Sequence, residues 1–307
     1  MSDQSIKKNV REFYDRVGWQ MVNGDFYQNA EYEDLRPVSH DYIHRCHMRI
    51  NRHITKEGDY LLDAGSGPVQ YPEYLTYSEG YKARVCMDIS IVALQEARKR
   101  LGEKGLYVVA DIAHLPFRPD VFDGIVSLHT IHHVPLEDKI PAYDELYRTL
   151  KPGRTMAVVN GWTNAPLMAW MQRPMNFMRR FRGWWLRKVK KQAPVPPAAA
   201  QPAAEEKKIE TAKPKNNKPA GTYVQKLNAE WLTQALKDRM TYEILVWRSV
   251  SVAFLRAMIY PEWGGRFWLK VLYWLEECCP RWLGRIGQYP LVVVEKPLTG
   301  DKQGSKV

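Results

Sequence analysis

The sequence predicts an α/β fold built on a largely parallel sheet, and three observations carry that reading. Short apolar runs alternate with stretches of helical period. The first run enters a glycine turn, and three successive runs carry an aspartate at or next to their end. Taken in order, residues 5–55 read as mainly helical, with some loop. Asp59–Ala64 (DYLLDA) is a first strand, with its turn at Gly65–Pro68, and Ala83–Asp88 (ARVCMD) is a second. Ile91–Leu101 is a helix. Gly105–Asp111 (GLYVVAD) and Phe122–His129 (FDGIVSLH) are the third and fourth strands. Leu136–Leu150 is a helix that stops at Lys151-Pro152-Gly153. Thr155–Gly161 is a fifth strand, Asn228–Asp238 a helix with an asparagine start, Thr241–Val250 a sixth strand and Gln288–Glu295 a seventh. The Trp-rich stretch Phe267–Leu283 lies between the last two strands, where a short hairpin is the usual connection. Seven strands belong to one domain.

The chain has 307 residues with 45 Lys and Arg against 34 Asp and Glu, a formal net charge of +11. Apolar residues make up 45% and charged residues 26%, close to the globular average, which excludes global disorder and fibrous repeats. No apolar run reaches the length of a spanning helix, and MSDQSIKKNV lacks the apolar stretch of a secretory signal, so the expected address is the cytoplasm. Four cysteines (Cys46, Cys86, Cys278, Cys279) are too few and too irregularly spaced for a disulfide framework or a zinc ribbon. The charge is not spread evenly. Residues 164–222 hold 13 basic and 3 acidic residues, so the remaining chain is nearly neutral.

That block has two halves. From Gln192 to Gly221 it is rich in Pro, Ala and Lys and has little to bury, the composition of an extended linker. From Pro166 to Lys191 it predicts a cationic amphipathic helix with Met175, Met178, Phe181, Trp185 and Val189 on its apolar side. Such a helix suits the interface of an anionic bilayer, where rings sit at headgroup level and Lys and Arg meet phosphates. It equally suits a lid that packs its apolar side on the domain. Nucleic acid is the less favoured partner, although arginine with aromatics also holds single strands.

The sharpest local signal is LLDAGSGPVQ, residues 61–70. A strand entering a glycine turn brings backbone N–H groups and a helix N-terminus toward a ligand. A dinucleotide fingerprint would place its third glycine at position 70, where this chain has Gln70. Asp63, Asp88 and Asp111 stand at consecutive strand ends. An acid after the second strand suits a ribose diol, and one beside apolar Ile112 suits an exocyclic amine.

With LDAGSGP, MDIS, ADIAHLPF, FDGIVSLHTIHHV and ELYRTLKPGR in this order, the sequence resembles the class I S-adenosylmethionine-dependent methyltransferases, especially the branch of ubiquinone and menaquinone C-methyltransferases. The resemblance covers about residues 55–162 and the last two strands. It implies a Rossmann-like seven-stranded sheet with helices on both faces, S-adenosyl-L-methionine as cofactor, and methyl transfer as the reaction. It also implies roles: Gly65, Ser66 and Gly67 beneath the methionine part, Asp63 near its amino group, Asp88 on the ribose hydroxyls, Ile89 against adenine, Asp111 on the adenine amine with Ile112 alongside, and His129 at the sulfonium end. The helix around Val10–Trp19 resembles the segment that closes over the cofactor, making Tyr14 and Trp19 lid residues. The chain departs from the family at Val69, where a third glycine is common, and at Arg154 of LKPGR.

The resemblance divides the chain into an N-terminal helical cap (1–54), a cofactor-binding core (55–163), the basic insertion (164–222), the C-terminal part of the core (223–298) with a Trp-rich insertion (261–287), and a tail (299–307). His132 and His133 follow the fourth strand, where imidazole could take a proton from an acceptor; packing or a helix start are competing roles. His44, Cys46, His47 and His53 lack a carboxylate at useful spacing, so a solvated face is expected there rather than a metal site. The activated donor needs an acceptor held in line and water excluded, which agrees with a sequence lacking a nucleophile motif or triad. The expected acceptor is a small or lipid-like molecule, with specificity in the N-terminal helices, the basic block and the Trp-rich insertion. A non-catalytic cofactor-binding scaffold and a nicotinamide-dependent oxidoreductase are the alternatives.

Overall fold

The computed structural model describes residues 3–19, 21–22, 26–27, 33–192 and 223–298. The Pro/Ala/Lys-rich linker and the tail lie outside the described residues. Seven strands form one sheet: β1 (Gly58–Ala64), β2 (Tyr81–Asp88), β3 (Gly105–Val109), β4 (Gly124–Leu128), β5 (Thr155–Val159), β6 (Thr241–Arg248) and β7 (Tyr289–Glu295). Their spatial order is β3-β2-β1-β4-β5-β7-β6. The first five are parallel, whereas β7 enters antiparallel between β5 and β6. The sheet is thus largely parallel, as expected, with one strand reversed near its β6 edge. Alternate residues of β1 and β2 feed two core layers, Leu62, Ala64, Val85 and Met87 on one face and Leu61 and Cys86 on the other. The chain leaves β1 toward β2 on one side, and the sheet continues to β4 on the other. This reversal of strand order opens a crevice beyond the C-terminal ends of β1 and β4.

Helices α1 (Asp3–Phe13) and α2 (His40–Met48) precede the sheet. The helix after the glycine turn, α3 (Pro72–Thr76), has only five residues, so the expected helix N-terminus adds little to that turn. Helix α4 (Ile91–Leu101) forms where predicted because Ser90 caps it, its hydroxyl accepting from the Ala93 N–H at 3.1 Å. Helices α5 (Lys139–Thr149), α6 (Pro166–Gln192) and α7 (Ala229–Leu236) follow, the last capped by Asn228, whose side chain accepts from Trp231 N–H at 2.8 Å. Helix α8 (Val252–Met258) begins at Ser251.

The Trp-rich insertion, left unassigned by the sequence, replaces the usual hairpin with two helices, α9 (Gly265–Cys278) and α10 (Pro280–Ile286). Its buried positions, Gly265, Leu269 and Glu276, recur at helical rather than alternating spacing, and Pro280 starts the second helix. On α6, the stripe read from the sequence packs inward at its start. Met175 is buried, and Phe181 and Trp185 lie against Trp263 with ring centroids 5.8 Å apart. A second row that the period did not single out, Trp170, Phe177 and Trp184, is 59%, 65% and 47% exposed, beside exposed Arg173, Arg180 and Arg187. Among the described residues no helix is long and apolar enough to cross a membrane.

Candidate active site

The crevice holds a cavity of about 150 Å³, counted as the space open to the centre of a water-sized sphere. One water needs roughly 10–15 Å³ on that measure, so the space suits a ligand rather than an isolated solvent molecule. Its walls include Asp63, Gly65, Ser66, Gly67, Asp88, Ile89, Asp111, Ile112, His129 and His133, and its roof is Lys7, Val10, Tyr14 and Trp19 from the N-terminal segment. The structure thus gathers every sequence-derived cofactor residue into one cavity. His132 is the exception among the candidate site residues. It is half-buried and lines a separate small void with Lys139 and Asn160, so the general-base expectation does not extend to it.

The glycine turn has a geometric cause. Gly65 has φ 78°, and a Cβ there would collide with the Thr130 side chain; Gly67 has φ 53° and lies against the Trp19 indole, which a Cβ would meet at 3.0 Å. Val69 sits at φ 54°, a left-handed conformation that a β-branched residue rarely adopts, while its side chain is fully buried. The common third glycine therefore has a backbone reason here, and the chain keeps the conformation without the residue.

Asp88 lies at the floor, where its carboxylate accepts from Gly67 N–H at 2.9 Å and Ser90 N–H at 2.8 Å. Burial raises its pKa to about 6, opposed by those backbone N–H groups. Asp63 is held by buried Arg84, whose Nη2 lies 2.5 Å from Oδ2. Asp111 is engaged by Lys7 of α1, which also reaches Asp138 at 2.7 Å. Burial disfavours both charges of the Lys7–Asp111 pair, but mutual contact outweighs it, lowering the carboxyl and raising the ammonium pKa. Lys7 was not evident from the sequence, because nothing local to KKNV marks a partner 104 residues away.

Tyr14 opens a π-helical turn, Tyr14–Gly18, and stacks on Trp19 with centroids 5.2 Å apart. His133 Nδ1 lies 2.8 Å from the Tyr223 carbonyl oxygen, so Nδ1 carries the proton. Nε2 then accepts the Tyr14 hydroxyl at 2.9 Å. Burial pulls the His133 pKa down to about 4, which keeps the ring neutral near pH 7. His129, at φ 57°, packs edge-on against Trp247 and Tyr289, and burial lowers its pKa to about 3.

The α2 cluster also differs from expectation. Cys46 and His47 are buried rather than solvated, and the fold supplies the carboxylate that the spacing lacked: Glu73 lies 2.7 Å from His44 Nδ1 and 3.4 Å from His47 Nδ1. Among the described residues no group of three or more His, Cys, Asp or Glu is arranged to hold a metal.

Residues 62–158 match the methyltransferase domain family Methyltransf_11. That match and the relatives below support a class I S-adenosylmethionine-dependent methyltransferase domain in this chain. The chain is 24% identical over 167 residues to methyltransferase GfsG of Streptomyces halstedii, a match covering 51% of this chain and 59% of that protein. It is 29% identical over 138 residues to the ubiquinone/menaquinone biosynthesis C-methyltransferase UbiE of Haemophilus ducreyi, covering 42% of this chain and 52% of that one. The chain thus spans little more than half the length of the curated relatives it matches. Its fold also superposes on Haemonchus contortus phosphoethanolamine N-methyltransferase 1, solved with phosphoethanolamine and S-adenosylhomocysteine. The TM-score is 0.53 at 11% identity, over 99% of this chain and 52% of that one.

The family's cofactor, S-adenosylmethionine, fits the residues present. Gly65 and Gly67 line the cavity without a side chain, a buried carboxylate waits at the floor, and Ile89 and Ile112 supply apolar walls. Both oxygens of Asp111 are already engaged, Oδ2 by Lys7 and Oδ1 by Ala113 N–H at 3.0 Å, so an amine would share one of them.

Proposed function

We propose that this chain transfers the methyl group of S-adenosylmethionine to a small or lipid-like acceptor met at an anionic membrane surface. The observation that carries the transfer is Asp88, a buried carboxylate at a strand end, facing a cavity roofed by the chain's own N-terminal segment. Asp88 would take the ribose hydroxyls, Gly65–Gly67 the methionine part with Asp63 beside its amino group, Ile89 and Ile112 the adenine faces, and Asp111 the adenine amine. Bound there, the cofactor supplies a methyl group already activated on a sulfonium. The residues of this chain then have to hold the acceptor and exclude water.

Tyr14 and Trp19 close the cavity, and His133 fixes the direction of the Tyr14 hydroxyl. His133 is a weak base with Nε2 already engaged, so direct proton removal by it gives way to a positioning role. This favours acceptors whose nucleophilic atom needs little help from a base. The membrane part of the reading rests on the Trp170, Phe177 and Trp184 row beside Arg173, Arg180 and Arg187, on a helix with no acidic residue.

Calorimetric titration with S-adenosylmethionine, its demethylated product and a nicotinamide cofactor in parallel tests the site; the first two should bind and the third should not. Mass spectrometry of lipid extracts and quinone precursors incubated with protein and cofactor should then show a product heavier by one methyl group. Cofactor binding without any such product would leave the scaffold reading standing. Activity on lipid extracts that persists unchanged without residues 166–191, in a protein that ignores anionic vesicles, would remove the membrane from the proposal.

A further inference from the structure

Helix α9 has two apolar faces, and the fold uses one. Gly265, Leu269 and Glu276 are buried, with Leu272 and Tyr273 packed on the cluster that includes Tyr42, Cys46 and Leu255. On the opposite face Phe267, Trp274 and Leu275 are 61%, 61% and 44% exposed, and Phe267–Trp274–Leu275–Cys278 follow one another at helical spacing. Trp268 and, on α10, Trp282 are each 57% exposed. Rings that size do not stand in water on a helix whose other side is fully satisfied without a reason to be there.

The charges around this face indicate what covers it. Arg266, Lys270, Arg281 and Arg285 are exposed on the same two helices, and among the described residues only Arg281 is held by a carboxylate, Glu243 at 2.6 Å. The two acids of α9 point elsewhere: Glu276 is fully buried on Arg49, Tyr42 and Ser249, and Glu277 pairs with Arg49 and Arg52. Aromatics with a cationic border match the headgroup depth of a bilayer, where Trp rings settle and Lys and Arg meet phosphates. A second copy of this chain would set these cations against their like. Helix α6, which carries the other exposed row, packs on the turn that leads into α9. The turn before α9 carries Trp263, on which Phe181 and Trp185 of α6 pack, and Arg182 of α6 lies over the Tyr260 ring at 3.8 Å.

We infer that the outward face of α9 and α10 is a docking surface for an anionic lipid bilayer, adding a second element to the α6 row. The inference extends the membrane reading above and is independent of the cofactor site. The test is co-sedimentation of the full chain with vesicles of phosphatidylcholine alone or mixed with phosphatidylglycerol. The wild type should bind the mixed vesicles, weaken as salt is raised, and bind pure phosphatidylcholine poorly. F267S/W274S should lower partitioning on mixed vesicles about tenfold, consistent with removing part of the burial of two large rings. R266E/K270E should lower it only where phosphatidylglycerol is present. Both variants should keep wild-type affinity for S-adenosylmethionine, measured by calorimetry, which shows that they fold. The inference is overturned if the wild type ignores mixed vesicles, if F267S/W274S binds them within twofold of wild type, or if gel filtration shows a wild-type dimer that this variant dissolves. A protein that binds vesicles but not S-adenosylmethionine would sink the methyltransferase proposal and leave this one intact.

Discussion

The sheet and the outer helices treat the same residue types in opposite ways. Around the sheet, cations are buried and answered: Arg84 by Asp63, Arg248 by Glu33 and Arg49 by Glu276, all but out of water. On α6, Arg179, Arg180 and Arg187 are exposed on a helix without an acid. Tryptophan divides likewise, with Trp247 packed against His129 and His47 and Trp274 facing out. Composition therefore says little about either region until it is known which charges have partners. Buried pairs hold a site in shape, whereas Arg179, Arg180 and Arg187 stand beside exposed rings and pair with no carboxylate among the described residues.

The comparison can be broken most directly at Arg84. Arg84→Met leaves Asp63 charged and buried without its guanidinium, and stability should fall by about 3–5 kcal/mol in urea unfolding. Little change would mean that the inner pairs are not holding the site.

Next in size is Asp88→Asn, which keeps the shape but removes the charge offered to the ribose. Affinity for S-adenosylmethionine should fall roughly 30-fold or more, about 2 kcal/mol, with the melting transition retained. The same group sets a pH dependence with two opposite signs. Its folded pKa, about 6, lies above the ordinary 3.8, so the folded chain holds an extra proton between these values. Stability of the cofactor-free protein therefore declines as pH rises through that window, whereas cofactor affinity, which needs the carboxylate, climbs. Asp88→Asn should flatten both profiles.

Tyr14→Phe is smaller still. It takes the donor from His133 Nε2 and should cost about 1 kcal/mol of stability by thermal unfolding, with the Trp19 stack kept. Smallest for the fold is Arg180→Gln on α6, where unfolding should shift by less than about 0.5 kcal/mol while the salt dependence of vesicle binding becomes shallower. A large loss of stability there would show that α6 cations are answered after all.

Much of the core was legible in advance because its signals are local. Ser90 and the apolar spacing after it delimit α4 at Ile91–Leu101, and the strand ends place Asp63, Asp88 and Asp111 around one crevice. The α9–α10 pair was legible only as an insertion, because Trp-rich segments carry no clear period until their buried positions are known. Arg248 inside the apolar strand TYEILVWRSV and Glu276 within a Trp-rich helix were visible anomalies, since a charge in such a run has to find a partner. The Tyr14–His133–Tyr223 chain left no trace, because its members lie 119 and 90 residues apart.

By itself the sequence determined the strands and most helices, the turn at Gly65–Gly67, and the acids at the strand ends. Period, capping and turn chemistry act between neighbours in the chain. Only the tertiary structure decided that Lys7 engages Asp111, that Val69 accepts a glycine's conformation, and that the rings of α9 face outward. Burial and pairing depend on elements far apart in the chain, and they exist only once the sheet has brought those elements together.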